Sequence, residues 1–134
     1  MIDQKTAPYA ALLLRVFTGA YFITHGLIKL FVFTPAGTMG FFQSLGLPGW
    51  FGILTMLFEI FGGIALILGV ATRLVAPLGA LVLLGATVMV HFANGFGFTN
   101  PGGGWEYTMF WALTMIALAL LGDGKYALWT FKGK

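Results

Sequence analysis

Four apolar runs, separated by short polar or glycine-rich stretches, dominate the hydrophobic pattern of this sequence. They cover about residues 7–33, 50–71, 74–92 and 105–121. A helix needs about 20 mainly apolar residues to cross a hydrocarbon core of ~30 Å. The pattern therefore predicts an all-α fold, an integral membrane four-helix bundle that forms a single transmembrane domain over residues 1–134.

A shorter segment lies between the first two spans. Residues 34–37 (T-P-A-G) end the first run, and the uncharged residues 38–46 are too few to span a membrane. Thr38 suits a helix N-cap and Gly46 suits a C-terminal stop. We predict a short interfacial helix here, with an irregular loop as the alternative.

Span 1 carries its polar residues on one side. At 3.6 residues per turn, positions 15, 18, 19, 22, 25, 26 and 29 share a face that reads Arg, Thr, Gly, Phe, His, Gly and Lys. A charge in hydrocarbon costs at least about 2.5 kcal/mol. We therefore expect this span 1 polar face to point into the bundle or towards water.

Span 2 contains a single carboxylate, Glu59, which shares a helix face with Gly62 and Gly63. Small residues let two helix backbones approach closely, so Glu59 is expected to face another helix. Arg15 lies deep in span 1 and needs a partner. We predict a direct or water-bridged ion pair between Arg15 and Glu59.

Composition supports the membrane assignment. The chain is 59% hydrophobic and only 8% charged, whereas soluble domains carry about 25% charged residues. Its net charge of +3 forms no basic cluster, so no nucleic-acid partner is expected. The absence of cysteine excludes disulfides, thiolate metal sites and dithiol chemistry within this chain.

Basic residues predict the orientation. In a four-span protein the N-terminus, the turn after span 2 and the C-terminal tail share one side, which carries Lys5, Arg73, Lys125, Lys132 and Lys134. The opposite side has only Lys29. Because short cytoplasmic loops are rich in Lys and Arg, we expect both termini to be cytoplasmic.

Helix depths, at ~1.5 Å per residue, bring polar groups from all four spans into the outer half of the bundle. The candidate catalytic residues are His25, Lys29 and Glu59. The candidate substrate-pocket residues are Arg15, His91, Trp105, Glu106 and Tyr107. We expect one cavity to be lined by His25, Lys29, Glu59 and His91. Its rim should carry Trp50, Trp105 and Tyr107.

Several of these residues also have purely structural interpretations. Lys29 could extend to the lipid head groups. Glu106 could complement the dipole at the start of span 4. His91 could hydrogen-bond a neighbouring helix. A haem b held by His25 and His91, or a zinc ion held by both histidines and Glu59, is a less favoured alternative.

Short motifs follow one another along nearly the whole chain. Arg15 and Phe17 precede H-G-x-x-K at 25–29, and a span 3 histidine precedes a loop rich in glycine and phenylalanine. The other motifs are L-G-L-P at 45–48, E-x-x-G-G at 59–63, L-G-x-x-T-R at 68–73, W-E-Y at 105–107 and L-G-D-G-K-Y at 121–126. In this order they resemble the DoxX family of small four-span membrane proteins.

The resemblance implies a multi-pass protein of the bacterial inner membrane. Members are often named oxidoreductases without an established mechanism. Some resemble subunits of thiosulfate:quinone oxidoreductase systems, and others are associated with quinone or catechol stress. We therefore expect a quinone-linked oxidoreductase or the membrane subunit of a redox complex, with no covalent cofactor. His25 would hydrogen-bond a quinone oxygen, Glu59 would exchange protons and Lys29 would stabilise developing negative charge.

Two other functions stay open at this point. The chain could be a non-enzymatic membrane anchor or assembly factor for a soluble redox partner, or a small proton- or cation-coupled transporter. The expected partners are the lipid bilayer and a soluble or membrane redox protein. Small-residue seams such as Ala65-x-x-x-Gly69 would also allow a homo-oligomer.

Overall fold

Five helices make up the computed structural model, which describes residues 1–130; Lys132 and Lys134 lie outside the described residues. The helices are α1 (Ala7–Leu27), α2 (Thr34–Ser44), α3 (Gly49–Leu68), α4 (Thr72–Ala86) and α5 (Trp105–Leu121). A π-helical turn, Ile28–Val32, extends α1, and a second, Thr87–His91, extends α4 and leads into the 3₁₀ turn Phe92–Asn94. The all-α fold class is confirmed.

Three helical stretches are long and apolar enough to cross a membrane: Ala7–Val32, Gly49–Leu68 and Thr72–Asn94. The fourth, α5, is a shorter apolar helix of 17 residues. The short α2 joins the first two, as the sequence predicts. This arrangement is a multi-pass bundle of membrane helices.

The helices α1 and α3 pack closely where glycines meet. A Cβ atom added to Gly63 would lie 2.6 Å from the carbonyl oxygen of Gly19, and one added to Gly19 would lie 2.6 Å from that of Gly63. Gly26 meets Ile60 and Glu59 in the same seam. Most of the span 1 polar face is buried within the bundle, as expected: Arg15, Thr18, Gly19, Phe22 and Gly26 are all buried.

The helices α4 and α5 form the other close pair. The buried hydroxyl groups of Thr87 and Thr108 lie 2.8 Å apart and join the two helices by a hydrogen bond. The apolar core then fills the space between the two helix pairs. Its fully buried members include Phe22, Leu66, Ala76, Ala112, Met115 and Leu118.

The start of α2 differs from the prediction. The helix begins at Thr34, whose Oγ1 accepts a hydrogen bond of 3.3 Å from the Gly37 N–H. Thr38, predicted as the N-cap, is buried within α2, and its hydroxyl donates to the carbonyl of Lys29 over 3.1 Å. Lys29 lies near the end of span 1, where helix carbonyls lack intrahelical partners. Thr38 binds one of these carbonyls and does not cap α2.

Both ends of the described chain lie at one end of the bundle, which we call the terminal end. It comprises the start of α1, the turn 69–71 and the C-terminal segment 122–130. The Lys125 N–H donates to the Pro8 carbonyl over 2.9 Å, and the Ala71 N–H donates to the Trp129 carbonyl over 3.1 Å. The opposite end, which we call the loop end, comprises α2 and the glycine-rich loop 95–104.

The turn between α3 and α4 contains two left-handed residues. Gly69 and Ala71 adopt φ of 71° and 51°. Ala71 occupies the N-cap position of α4, and Thr72 is fully buried at the first position of that helix.

Candidate functional site

Arg15 is fully buried at the terminal end and binds backbone carbonyls. Its Nη1 donates to Leu66 O over 3.1 Å and to Ile67 O over 3.3 Å, while Nη2 donates to Lys125 O over 2.6 Å. Leu66 and Ile67 lie in the last turn of α3, where the backbone carbonyls have no N–H partner within the helix. The predicted Arg15–Glu59 ion pair is therefore wrong, and Arg15 fastens the C-terminal segment to the end of α3.

Glu59 pairs with Lys29 instead. Lys29 Nζ lies 2.9 Å from Oε2 and donates to Oε1 over 3.1 Å. The Oε2 contact lacks hydrogen-bond geometry, so the Oε1 bond holds the pair. The side chains of Lys29 and Glu59 are 19% and 8% exposed, which makes this a largely buried ion pair between α1 and α3.

A groove of about 380 Å³ runs between α1 and α5. Two of its members, Phe17 and Phe110, are 54% and 72% exposed, so the groove opens at the apolar surface that the helices present to lipid. The nine lining residues are Leu14, Phe17, Thr18, Tyr21, His25, Tyr107, Phe110, Trp111 and Thr114. This groove is large enough for part of a drug-sized aromatic ligand.

His25 brings a polar group into this groove. Its ring centroid lies 5.3 Å from that of Trp111. Within the described residues, neither ring nitrogen of His25 has a hydrogen-bond partner. Its neighbour Trp111 has a buried indole Nε1 that also lacks a partner in this part of the chain. His25 therefore presents an unbonded polar group at the aromatic part of the groove, whereas the Trp111 N–H is buried beside it.

Tyr107 connects the groove to the loop end. Its hydroxyl lies 3.1 Å from His91 Nε2, and the two rings meet edge to face with centroids 5.0 Å apart. His91 Nδ1 in turn lies 2.9 Å from the carbonyl oxygen of Gly103. The Asn94 side-chain amide donates to the same carbonyl over 2.9 Å. The glycine-rich loop thus holds His91, and His91 holds Tyr107.

The other predicted site residues take separate positions. Of the eight candidates, only His25 and Tyr107 line the groove. We expected Lys29, Glu59 and His91 to line one cavity with His25, but the lining of this groove includes only His25 of these four. Trp105 packs against Phe92 and Phe96 at the loop end, with ring centroids 5.6 and 4.9 Å away. Trp50 is exposed there and stacks on Phe51.

The alternative zinc site is not formed. Among the described residues, no three His, Asp or Glu side chains lie together in an arrangement that could hold a metal ion. His25 faces α5, and Glu59 is paired with Lys29 on the α3 side of α1.

The sequence interpretation missed the α5 wall of the groove. Tyr107, Trp111 and Thr114 follow one another at helical spacing, and therefore share a face. That spacing could have indicated Trp111 and Thr114, since Tyr107 was already a candidate. The aromatic members Tyr21 and Phe110 had no comparable signal, because single aromatic residues are common in any membrane helix.

The fold and the groove together define a small multi-pass membrane protein with an aromatic site between two of its helices. The chain belongs to the DoxX family, whose model matches residues 10–92. It is 39% identical over 133 residues to the Bacillus subtilis (strain 168) protein named "Putative oxidoreductase CatD", covering 98% of this chain and 94% of that relative. No solved structure matches.

Proposed function

We propose that the α1–α5 groove binds the head group of a membrane quinone and that the protein is a quinone-linked redox protein or the membrane subunit of a redox complex. The observation that carries this proposal is His25, an imidazole that has no hydrogen-bond partner among residues 1–130 and lies in a lipid-accessible aromatic groove. The name of the Bacillus relative, an oxidoreductase, supports the same class of function.

The lining of the groove suits a flat ring with oxygen substituents. Tyr21 and Trp111 meet edge to face, with centroids 6.2 Å apart, and Phe22 lies beneath Trp111 at 4.7 Å. The rings of Tyr21 and Trp111, which line the groove, offer apolar surface to a ligand ring, and Phe22 supports Trp111 from the core. A free His25 nitrogen can hydrogen-bond one of the ligand oxygens, because a quinone carbonyl accepts from an imidazole N–H.

Reduction of a quinone to a quinol takes up two electrons and two protons. The chain has no cysteine to ligate an iron–sulfur cluster. In this proposal a partner protein with a flavin or metal centre exchanges the electrons, and His25 contacts the ring oxygen at which a proton is gained or lost. Glu59 and Lys29 lie outside the groove, because they bind each other across the α1–α3 seam.

The proposal includes the orientation in the bacterial inner membrane. The terminal end, with both termini, lies in the cytoplasm, and the loop end faces outward. The distribution of Lys5, Arg73 and Lys125 supports this side assignment. A ligand could then reach the groove directly from the bilayer.

The test measures binding of a naphthoquinone to the purified protein in lipid nanodiscs. The readout is the quenching of tryptophan fluorescence by the bound naphthoquinone. His25→Phe keeps a ring against Trp111 and removes both nitrogens, so we expect about fivefold to tenfold weaker binding from the lost hydrogen bond. The matched control is Thr24→Val, a change at an exposed neighbour outside the groove lining. Absence of saturable binding, or equal affinity in the His25 variant, would refute the proposal.

A further inference from the structure

The groove continues past His25 towards the terminal end of the bundle, and this second part has a different lining. We call it the terminal half of the groove; it is lined by Leu14, Phe17, Thr18 and Thr114. Resting on the function proposed above, we infer that the terminal half holds the first part of a hydrocarbon tail attached to the ligand ring. The ligand class is then a ring with oxygen substituents and a hydrocarbon chain, and not a compact aromatic compound.

The length of the groove exceeds that of a ring. Leu14 and His25 mark the two ends of its lining on α1, and they lie about 16 Å apart along the helix at 1.5 Å per residue, about twice the length of two fused rings. A ring placed between His25 and the Trp111–Tyr21 pair therefore leaves the terminal half of the groove unfilled.

The other wall continues in the same direction. Tyr107 lies at the loop end, against His91, and Trp111 lies level with Tyr21 and His25. Thr114 follows about one turn further towards the terminal end, because α5 runs antiparallel to α1. Both helices thus extend the groove beyond the position of the ring.

The terminal half offers a ligand no hydrogen-bond donor from its four lining residues. Leu14 and Phe17 are apolar. The Thr18 hydroxyl donates to the Leu14 carbonyl over 2.5 Å, and the Thr114 hydroxyl donates to the Phe110 carbonyl over 2.8 Å. Each threonine uses its single proton within its own helix, so this part of the groove suits a hydrocarbon chain.

The order of polarity along the groove matches the way an amphiphile lies in a bilayer. Phe17 is close to the middle of the membrane-crossing stretch Ala7–Val32, whereas His25 is nearer its loop end. The ring then lies towards the membrane surface and the tail lies at the centre of the hydrocarbon core. The exposed rings of Phe17 and Phe110 leave the groove open, so the rest of a long chain passes into the lipid.

The tail contributes through packing and not through removal from water. Lipid chains are as apolar as the groove, so leaving the bilayer gives the tail little hydrophobic gain. Close contact with fixed side chains adds dispersion attraction. We expect a naphthoquinone with a short hydrocarbon tail to bind about fivefold more tightly than the same ring without it, after correction for partition into lipid.

Photolabelling locates the tail directly. The probe is a naphthoquinone whose short hydrocarbon tail carries a diazirine, irradiated with the wild-type protein in lipid nanodiscs and followed by peptide mass spectrometry. Label should appear at Leu14, Phe17 or Thr114. An excess of the tailed naphthoquinone without diazirine should remove this label.

A variant that fills the terminal half separates the tail from the ring. Thr114→Phe should abolish the fivefold advantage of the tailed probe and the label at Leu14, because the added ring takes the space of the tail. The naphthoquinone without a tail should keep its wild-type affinity, which also shows that the variant is folded. Leu113→Phe is the matched control, since Leu113 is an exposed neighbour outside the groove lining, and it should keep both the advantage and the label.

Three results would overturn this inference while leaving the proposed function in place. The first is saturable binding of both probes with equal affinity. The second is competed label confined to Tyr107 or to residues outside the groove. The third is label in the terminal half that excess tailed naphthoquinone does not remove, which would assign this half to lipid chains. If neither probe binds saturably to wild type, both the inference and the proposed function fail.

Discussion

Lys29 and Glu59 form an ion pair across the α1–α3 seam, with Lys29 Nζ 2.9 Å from Glu59 Oε2. The lysine comes from the π-helical turn that ends span 1, and the acid comes from the middle of α3. In the described part of the chain this is the ion pair that neutralises a carboxylate inside the bundle. The pair lies next to Gly26, which packs against the Cβ of Glu59. The ion pair therefore forms at a point where α1 and α3 are closely packed.

Breaking this pair should destabilise the fold. Lys29→Met leaves a buried carboxylate without its cation, and Glu59→Gln leaves a largely buried ammonium. Each should cost about 3 kcal/mol, the lower end of the range for buried pairs, because Lys29 keeps some exposure. Unfolding in mixed micelles would measure the change in free energy of unfolding.

The double variant Lys29→Met with Glu59→Gln should regain part of that loss, since neither charge is then stranded. Glu106→Gln is the control: its carboxylate has no hydrogen bond or ion pair among the described residues, so its effect should stay within about 0.5 kcal/mol. Additive losses in the double variant would show that the pair contributes nothing beyond its separate residues.

Replacing Arg15 should release the C-terminal segment. Arg15→Lys keeps the charge but cannot reach three carbonyls from two segments with the planar geometry of a guanidinium. Hydrogen bonds from charged groups contribute about 1.5–3 kcal/mol each, so a loss of at least one should be evident in thermal stability. Hydrogen exchange should also quicken at Leu128 and Trp129, whose N–H groups donate to Leu68 and Gly69.

The control for Arg15 is Lys5→Met, because Lys5 is an exposed cation at the same end of the bundle. It should leave exchange at the C-terminal segment nearly unchanged. The same protection pattern in Arg15→Lys and wild type would mean that the guanidinium is not what holds this segment.

A methyl group in the α1–α3 seam should separate the helices. Gly63→Ala places a Cβ atom 2.6 Å from the Gly19 carbonyl oxygen, and backbone must move to relieve the clash. Overpacking of this kind costs about 1–3 kcal/mol. Gly85→Ala in α4 is the matched control, since a Cβ there meets nothing within 4 Å. It should be neutral or gain up to about 1 kcal/mol from helix propensity. Equal melting temperatures for the two variants would contradict the close packing.

The proposed orientation can be tested with single cysteines, because the chain has none of its own. Thr99→Cys places a thiol in the exposed glycine-rich loop, and Lys5→Cys places one at the terminal end. A membrane-impermeant maleimide applied to spheroplasts, from which the outer barrier has been removed, should label Thr99→Cys. Lys5→Cys should react only after lysis. The reverse pattern would invert the orientation.

The helices and the buried side of α1 followed from the sequence alone. Apolar runs of this length can satisfy their backbone groups in a bilayer only as helices. The 3.6-residue period then placed Arg15, Thr18, Gly19, Phe22 and Gly26 on one face, and all five are buried. The glycines beside Glu59 likewise marked the α3 face that meets α1. These features depend on spacing along one helix, which a sequence states directly.

The partners of the polar groups were decided only by the tertiary structure. Arg15 and Glu59 were matched by charge, yet Arg15 donates to carbonyls of α3 and of the C-terminal segment, while Glu59 binds Lys29. Backbone carbonyls are present at every residue, so no pattern of side chains could indicate them as partners of a guanidinium.

The candidate site shows the same division. His25 and Tyr107 were recognisable as polar residues in apolar helices, but their common groove depends on how α1 and α5 are rotated about their axes. The link from Tyr107 through His91 to the carbonyl of Gly103 also depends on the fold of an irregular loop. Helix rotation and loop conformation are set by contacts between segments distant in the chain, so residue spacing within one segment cannot determine them.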